Sequence, residues 1–180
     1  GAAAATGDAL WFLHADARAP AGAAEAIRRS LADGAAWGAF RAGAHVVDIS
    51  PTGFPVRVNA MFTERTATGV TDALFAKALA LDDGTNRLVL CVVDTCMIPR
   101  VLIDRAKEEA SQATGVPVER MLVSATHTHS APSAMGCLGS RVDPAYAAWV
   151  SPRLAAAITG AVGRLAPARM GWAQEDDWEH

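Results

Sequence analysis

The sequence predicts an α/β fold: a mixed sheet with flanking helices, an incomplete domain preceded by a strand-helix fragment. Three observations predict it. Short apolar runs bounded by Gly, Pro or Asp recur from residue 45 to residue 126. Segments with apolar residues three and four apart alternate with them. Two of the apolar runs are joined by Asp82-Asp83-Gly84, a strong hairpin turn signal.

Taken in order, ALWFLHA (residues 9–15) reads as a buried strand between Gly7-Asp8 and Asp16. Pro20 opens a helix with Ala24, Ile27 and Leu31 on one face, closed by Gly34. The texture changes over residues 41–44, which divides the chain into segments 1–41 and 42–180. HVVDIS (45–50) and FPVRVNA (54–60) are short strands separated by Pro51-Thr52-Gly53, and residues 74–95 form the hairpin. A helix follows Pro99 with Leu102, Ala106 and Ala110 on one side, and Gly115 ends it. MLVSAT (121–126) is the next strand. Asp143-Pro144 starts a helical stretch to about Leu165, interrupted at Ser151-Pro152, and ARMGWAQ (168–174) is the last strand.

With 180 residues, 51% hydrophobic and 19% charged, the chain can bury one core and is not disordered as a whole. A net charge of -3 gives no electrostatic case for nucleic acid, and no basic block suggests a membrane surface. No apolar segment approaches the roughly 20 residues that span a bilayer, and no secretion signal is visible. Cellular location and oligomeric state are left open. Cys91, Cys96 and Cys137 form no C-x-x-C pair, so neither a disulfide framework nor a zinc knuckle is indicated, and Cys91 reads as a small core residue.

The chemistry concentrates in MLVSATHTHSAPS (121–133), where an apolar run ends in two histidines two apart. In an extended strand residues i and i+2 share a side, so His127 and His129 are placed to face one cavity. Zinc favours imidazole nitrogen, and a catalytic site needs about three protein ligands plus an open position. Two polar residues hydrogen-bonded at a strand end are the alternative. Asp94, ending LVLCVVD, either acts near this site or caps the turn that follows. FTERTATG (62–69) reads as a loop in which Arg65 contacts substrate, or forms a solvated pair with Glu64. AMGCLGS (134–140) suits close backbone approach to a ligand, but lacks the Lys and spacing of a phosphate loop. Ser130 and Ser133 lack a nucleophile elbow and read as turn hydroxyls.

The ordered series DISPT, DALFAKALALDDG, LVLCVVDTCMIPR, TGVPVERMLVSATHTHSAPS and LAPARMGWA resembles the N-terminal domain of the neutral, non-lysosomal ceramidase family, over about residues 42–180. T-H-T-H-S-A-P is its most specific part. The resemblance implies zinc-dependent hydrolysis of an N-acyl amide, ceramide being cut to a fatty acid and a sphingoid base. The implied partner is therefore a lipid or another small amide. His127 transfers as a ligand of one zinc ion, His129 as the neighbour of its water and of substrate, and Asp94 as an aspartate near the site. The family's remaining ligands, a histidine, a glutamate and a tyrosine, come from further downstream, and Tyr146 does not match that tyrosine. With so few firm ligands the chain alone is expected to bind zinc weakly and to hydrolyse nothing measurable.

Residues 1–41 resemble the middle of a family 2 glycosyltransferase domain. There FLHAD would place Asp16, with His14 beside it, at a Mg²⁺ or Mn²⁺ ion and a nucleotide-sugar diphosphate. Termination of a strand is the other reading of Asp16. About 40 residues cannot bury a core alone, so Trp11, Phe12 and Leu13 are expected to pack on the second segment if the unit has been recruited. A non-catalytic α/β module keeping the histidines without metal is the third reading of the chain.

Overall fold

The computed structural model describes residues 40–169 together with Glu25, which is helical. The strand expected at 9–15, the rest of the helix expected at 20–34, Asp16 and His14, and residues 170–174 of the last strand candidate lie outside the described residues. Seven strands are described: β1 (Phe40–Asp48), β2 (Val56–Val58), β3 (Arg65–Ala67), β4 (Phe75–Asp82), β5 (Arg87–Val93), β6 (Met121–Ala125) and β7 (Ala166–Ala168). The helices are α1 (Arg100–Thr114) and α2 (Pro144–Val162), with a short 3-10 turn at Val118–Arg120 before β6. This is the α/β class, with a mixed sheet and flanking helices.

Five strands form the main sheet in the order β6-β5-β4-β1-β7, while β2 and β3 pair separately. β4 and β5 are the expected hairpin, in register from Ala76↔Val93 to Asp82↔Arg87. Asp82 and Asp83 receive the N–H groups of Gly84, Thr85 and Asn86, and Gly84 sits at φ 89, where glycine is unstrained. β5 and β6 are parallel neighbours, Val89↔Met121 through Val93↔Ala125, connected by α1.

Alternation decides which face is buried. Ala76, Ala78 and Ala80 of β4 and Val89, Cys91 and Val93 of β5 point into the core with Ala106 and Ala110 of α1 and Leu154, Ile158 and Ala161 of α2. Small residues in β4 and α2 let helix and sheet approach closely. At Gly43 of β1 an added Cβ would collide with the Ala161 carbonyl and with the Arg164–Leu165 backbone. On the opposite face Leu88, Leu90 and Leu122 are exposed.

Four expectations change. β1 begins at Phe40 rather than His45, because Phe40, Arg41 and Ala42 pair with β7 and Arg41 onward pairs with β4. α2 is continuous through Ser151-Pro152. The proline removes one helical N–H, but Val150, Ser151, Leu154 and Ala155 are buried around it, and the Ser151 hydroxyl donates to Leu102 O of α1 at 3.2 Å. Tertiary burial there outweighs the local breaker. Arg65 lies in strand β3, paired with Val58, rather than in a loop. Among the described residues the last strand is Ala166–Ala168, so the sheet is entered two residues before the expected start at 168.

Candidate functional site

The site is built where β5 and β6 end side by side, at the carboxyl edge of two parallel strands, a frequent place for ligand sites in α/β sheets. Chain beyond each strand is stitched to the other: Thr126 N donates to Val93 O at 2.9 Å and Thr128 N to Thr95 O at 3.2 Å. The hydroxyls of Thr126 and Thr128 are 2.7 Å apart. These bonds hold Thr126 to His129 against the segment Asp94 to Cys96.

His127 and His129 come together, but not by strand alternation. β6 stops at Ala125, and His127 sits at φ 61, in the left-handed region. This kink turns the chain so that the two exposed rings meet edge-on, centroids 4.7 Å apart at 70°. His127 Nδ1 lies 3.1 Å from Cys96 O and 3.8 Å from Cys96 Sγ. Donor atoms of Cys96, His127 and His129 all lie within 4.8 Å of one another. Cys96 is buried, and burial first, then neighbouring Cys137, pushes its thiol upward from the ordinary range. Cys91, deep in the core, is pushed up by burial to about 12, as an inert core thiol should be.

A cavity of about 680 Å³ adjoins this cluster, lined among others by Val58, Arg65, Leu74, Asp94, Thr128 and Ser130. The two histidines are not among its lining residues; the residues that alternate with them, Thr128 and Ser130, are. Rings and cavity thus share one segment, Thr128 and Ser130 lining the cavity between and after the two histidines. The φ of 61 at His127 departs from the extended geometry of a strand.

Arg65 links the two. Its guanidinium donates to His129 O at 2.9 Å and more weakly to Asn59 O at 3.4 Å, which fixes it on the cavity wall. Its sequence neighbour Glu64 is engaged elsewhere, with Arg141 at 2.7 Å and Arg57 at 3.3 Å, so the Glu64–Arg65 pair does not form. The Arg141 hydrogen bond, before other causes, holds the Glu64 carboxyl down at about 2. Asp94 faces back across the sheet instead of capping its own turn: it accepts from Phe75 N at 3.0 Å and pairs with Lys77 Nζ at 2.9 Å.

The Ser133 hydroxyl behaves as a turn group: it is fully buried and donates to Met135 O at 3.2 Å. The glycine-rich loop makes its close approach to the protein itself. Gly139 N donates to Met61 O at 3.1 Å, and an added Cβ at Gly139 would strike the Phe62 carbonyl. Tyr146 is buried in α2 with its hydroxyl on Ile49 O at 2.9 Å, away from metal chemistry. Sequence reasoning missed Cys96 and Lys77. The parallel register of β5 and β6 sets Cys96 beside the histidines, and the β4 pairing sets Lys77 beside Asp94; neither follows from spacing alone.

No family model and no curated protein sequence matches the chain. Solved structures do. The neutral ceramidase from Pseudomonas aeruginosa superposes with a TM-score of 0.64 at 21% identity, over 73% of this chain and 22% of that one. The fold is shared with a neutral ceramidase. A second structure, of a ceramidase complexed with C2, gives a TM-score of 0.60 at 23% identity, with the same shares of each chain covered. The chain thus spans about a fifth of the length of these proteins.

Proposed function

We propose that this chain, over residues 42–180, is part of a zinc-dependent hydrolase of N-acyl amides, with ceramide or a related lipid amide as substrate. The observation that carries the reading is the convergence of His127 and His129, 4.7 Å apart by ring centroids, on a fold shared with a neutral ceramidase. Two imidazoles with a thiol nearby are donors that suit zinc. When bound there, zinc supplies Lewis acidity, polarising the acyl oxygen and making water acidic enough to act near neutral pH.

The chain's own residues carry the rest. His127 would hold the ion. His129 stands close enough to share it, or to accept and return a proton at its free imidazole nitrogen. Arg65, tied to His129 O, presents the positive charge of its guanidinium to the polar end of a substrate in the adjoining cavity. Val56, Val58, Val70 and Leu74 give that cavity an apolar wall for hydrocarbon. Asp94 is a positioning residue: its bonds to Phe75 N and Lys77 fix the end of β5 against β4.

The test is hydrolysis of a short-chain N-acylsphingosine by the full-length gene product, with fatty acid release measured before and after chelation. Chelator-sensitive release that zinc restores, and that His127→Ala abolishes, is the expected result. Absence of chelator-sensitive cleavage of any N-acyl amide would overturn the reading.

A further inference from the structure

We propose that Asn59 is a positioning residue of the histidine site: it fastens the β2–β3 hairpin to the chain that leaves His129, and so fixes where the His129 ring stands. The catalytic consequence rests on the hydrolase reading above. The structural half, the placing of one ring against the other, stands without it.

Asn59 is fully buried, and a buried amide is costly unless its polar groups are paired. Its main-chain N–H donates to Ala131 O at 3.2 Å and its side-chain nitrogen to Met135 O at 2.6 Å. Its side-chain oxygen accepts from Ala60 N at 2.6 Å, and its carbonyl accepts from the Arg65 guanidinium at 3.4 Å. β2, β3 and the loop after His129 therefore meet at one residue.

The surrounding backbone explains why that residue is an asparagine. Ser133 N donates to Arg57 O at 2.8 Å, so residues 131–133 run antiparallel beside β2 with Val58 opposite Pro132. In such a pair the two opposed residues exchange no N–H bond with each other, and a proline fits without loss. Past Asn59 the ladder stops, because Ala60 sits at φ 67 and turns the chain away. The side chain of Asn59 continues the work of the ladder: it reaches the Met135 carbonyl and holds the Ala60 N–H at the turn. An amide offers a donor and an acceptor together, whereas an apolar side chain offers neither and a carboxylate offers acceptors alone.

His129 lies two residues before Ala131, where this pairing begins. Arg65, bound to Asn59 O, donates to His129 O at 2.9 Å. On the upstream side Thr128 N is bonded to Thr95 O at 3.2 Å. The main chain of His129 is thus gripped from the end of β5 and from the hairpin, and its ring contact with His127, centroids 4.7 Å apart, depends on both grips. Asn59 is not among the residues that line the cavity, so it acts through the backbone of the histidine segment and not on a substrate.

Two readouts test this. The nuclear Overhauser contact between the His127 and His129 rings in the intact chain reports the geometry. The kcat and KM of the full-length gene product on a short-chain N-acylsphingosine report its consequence. Asn59→Ala is expected to lose the ring contact while the Ala78 and Cys91 amides of the main sheet stay protected from hydrogen exchange. It is expected to lower kcat by roughly tenfold to a hundredfold, with KM within about twofold of wild type. Ser133→Ala, which removes the other donor to Met135 O and leaves Asn59 in place, is expected to keep both readouts near wild type. Hydrogen exchange on wild type decides the matter even where a variant fails to fold: the Asn59 and Ser133 amides are expected to be protected, and rapid exchange of either would overturn the clamp. A ring contact that survives Asn59→Ala, or equal losses in Ser133→Ala, would overturn the role of Asn59 and leave the hydrolase reading standing. Absence of hydrolysis by the full-length wild type would overturn the hydrolase reading and the catalytic consequence with it, while the ring contact still judges Asn59.

Discussion

Exchanging His127 for glycine and for alanine separates the strain at this site from its chemistry. Both variants remove the imidazole, its contact with Cys96 O and its ring contact with His129. They differ in backbone. At φ 61 a residue with a Cβ carries roughly 1–2 kcal/mol of steric cost that glycine does not. Glycine in turn loses about 0.4–1 kcal/mol relative to alanine through the greater freedom of the unfolded chain. The difference leaves His127→Gly more stable than His127→Ala by about 0.5–1 kcal/mol, the reverse of the usual order. For a chain of this size that is a Tm gap of roughly 1–4 °C. Thermal and urea unfolding with chelator present, so that metal binding does not enter, measure it. If alanine proves equal to or more stable than glycine, the left-handed turn is not there, and the argument that it brings the two rings together fails.

Three other outcomes are expected. Ile158→Ala, which empties a fully buried place between α2 and the sheet, should cost about 2–5 kcal/mol by urea denaturation, whereas Val101→Ala on the exposed side of α1 should cost under about 0.5 kcal/mol. Gly43→Val should fail to give a cooperative transition, because its side chain meets the end of α2 as backbone rather than as a movable side chain; a folded variant would contradict the observed approach of α2 to β1. Stability should fall with acid in two windows. Burial, then Arg164, lowers the pKa of His45, so its contribution is whole above 6.5 and declines as pH drops below that value. Glu64, held at about 2 by Arg141, contributes above 4.5 and is lost as pH falls from there toward 2, and Glu64→Gln should flatten that second limb in pH-dependent unfolding.

The sheet was legible wherever a side-chain pattern and a turn agreed. The β4–β5 hairpin follows from two apolar runs about Asp82-Asp83-Gly84, and α1 from Pro99, its apolar stripe and Gly115, which takes φ 73 and closes onto Ser111 O. Local rules failed where distant contacts outvoted them. Pro152 reads as a break, yet the surface buried by Val150, Leu154 and Ile158 keeps α2 whole. Arg65–Ala67 carries no apolar alternation, and becomes a strand through its partner Val56–Val58.

The candidate site divides the same way. The histidines stood out because two imidazoles after an apolar run have few packing uses, and the family resemblance rested on that element. Their third companion did not stand out. Cys96 sits 31 positions before His127, in a sequence context that gives a thiol no task. It enters the site only because β5 and β6 run parallel with Val93 opposite Ala125, which brings the next three residues of each strand end together. A parallel pairing needs a crossover, here α1, and the crossover converts a long sequence separation into a 3.8 Å contact. The property that hid Cys96 from a reading of spacing is thus the one that gives the cluster its rigidity: two segments anchored on adjacent strands and bonded to each other.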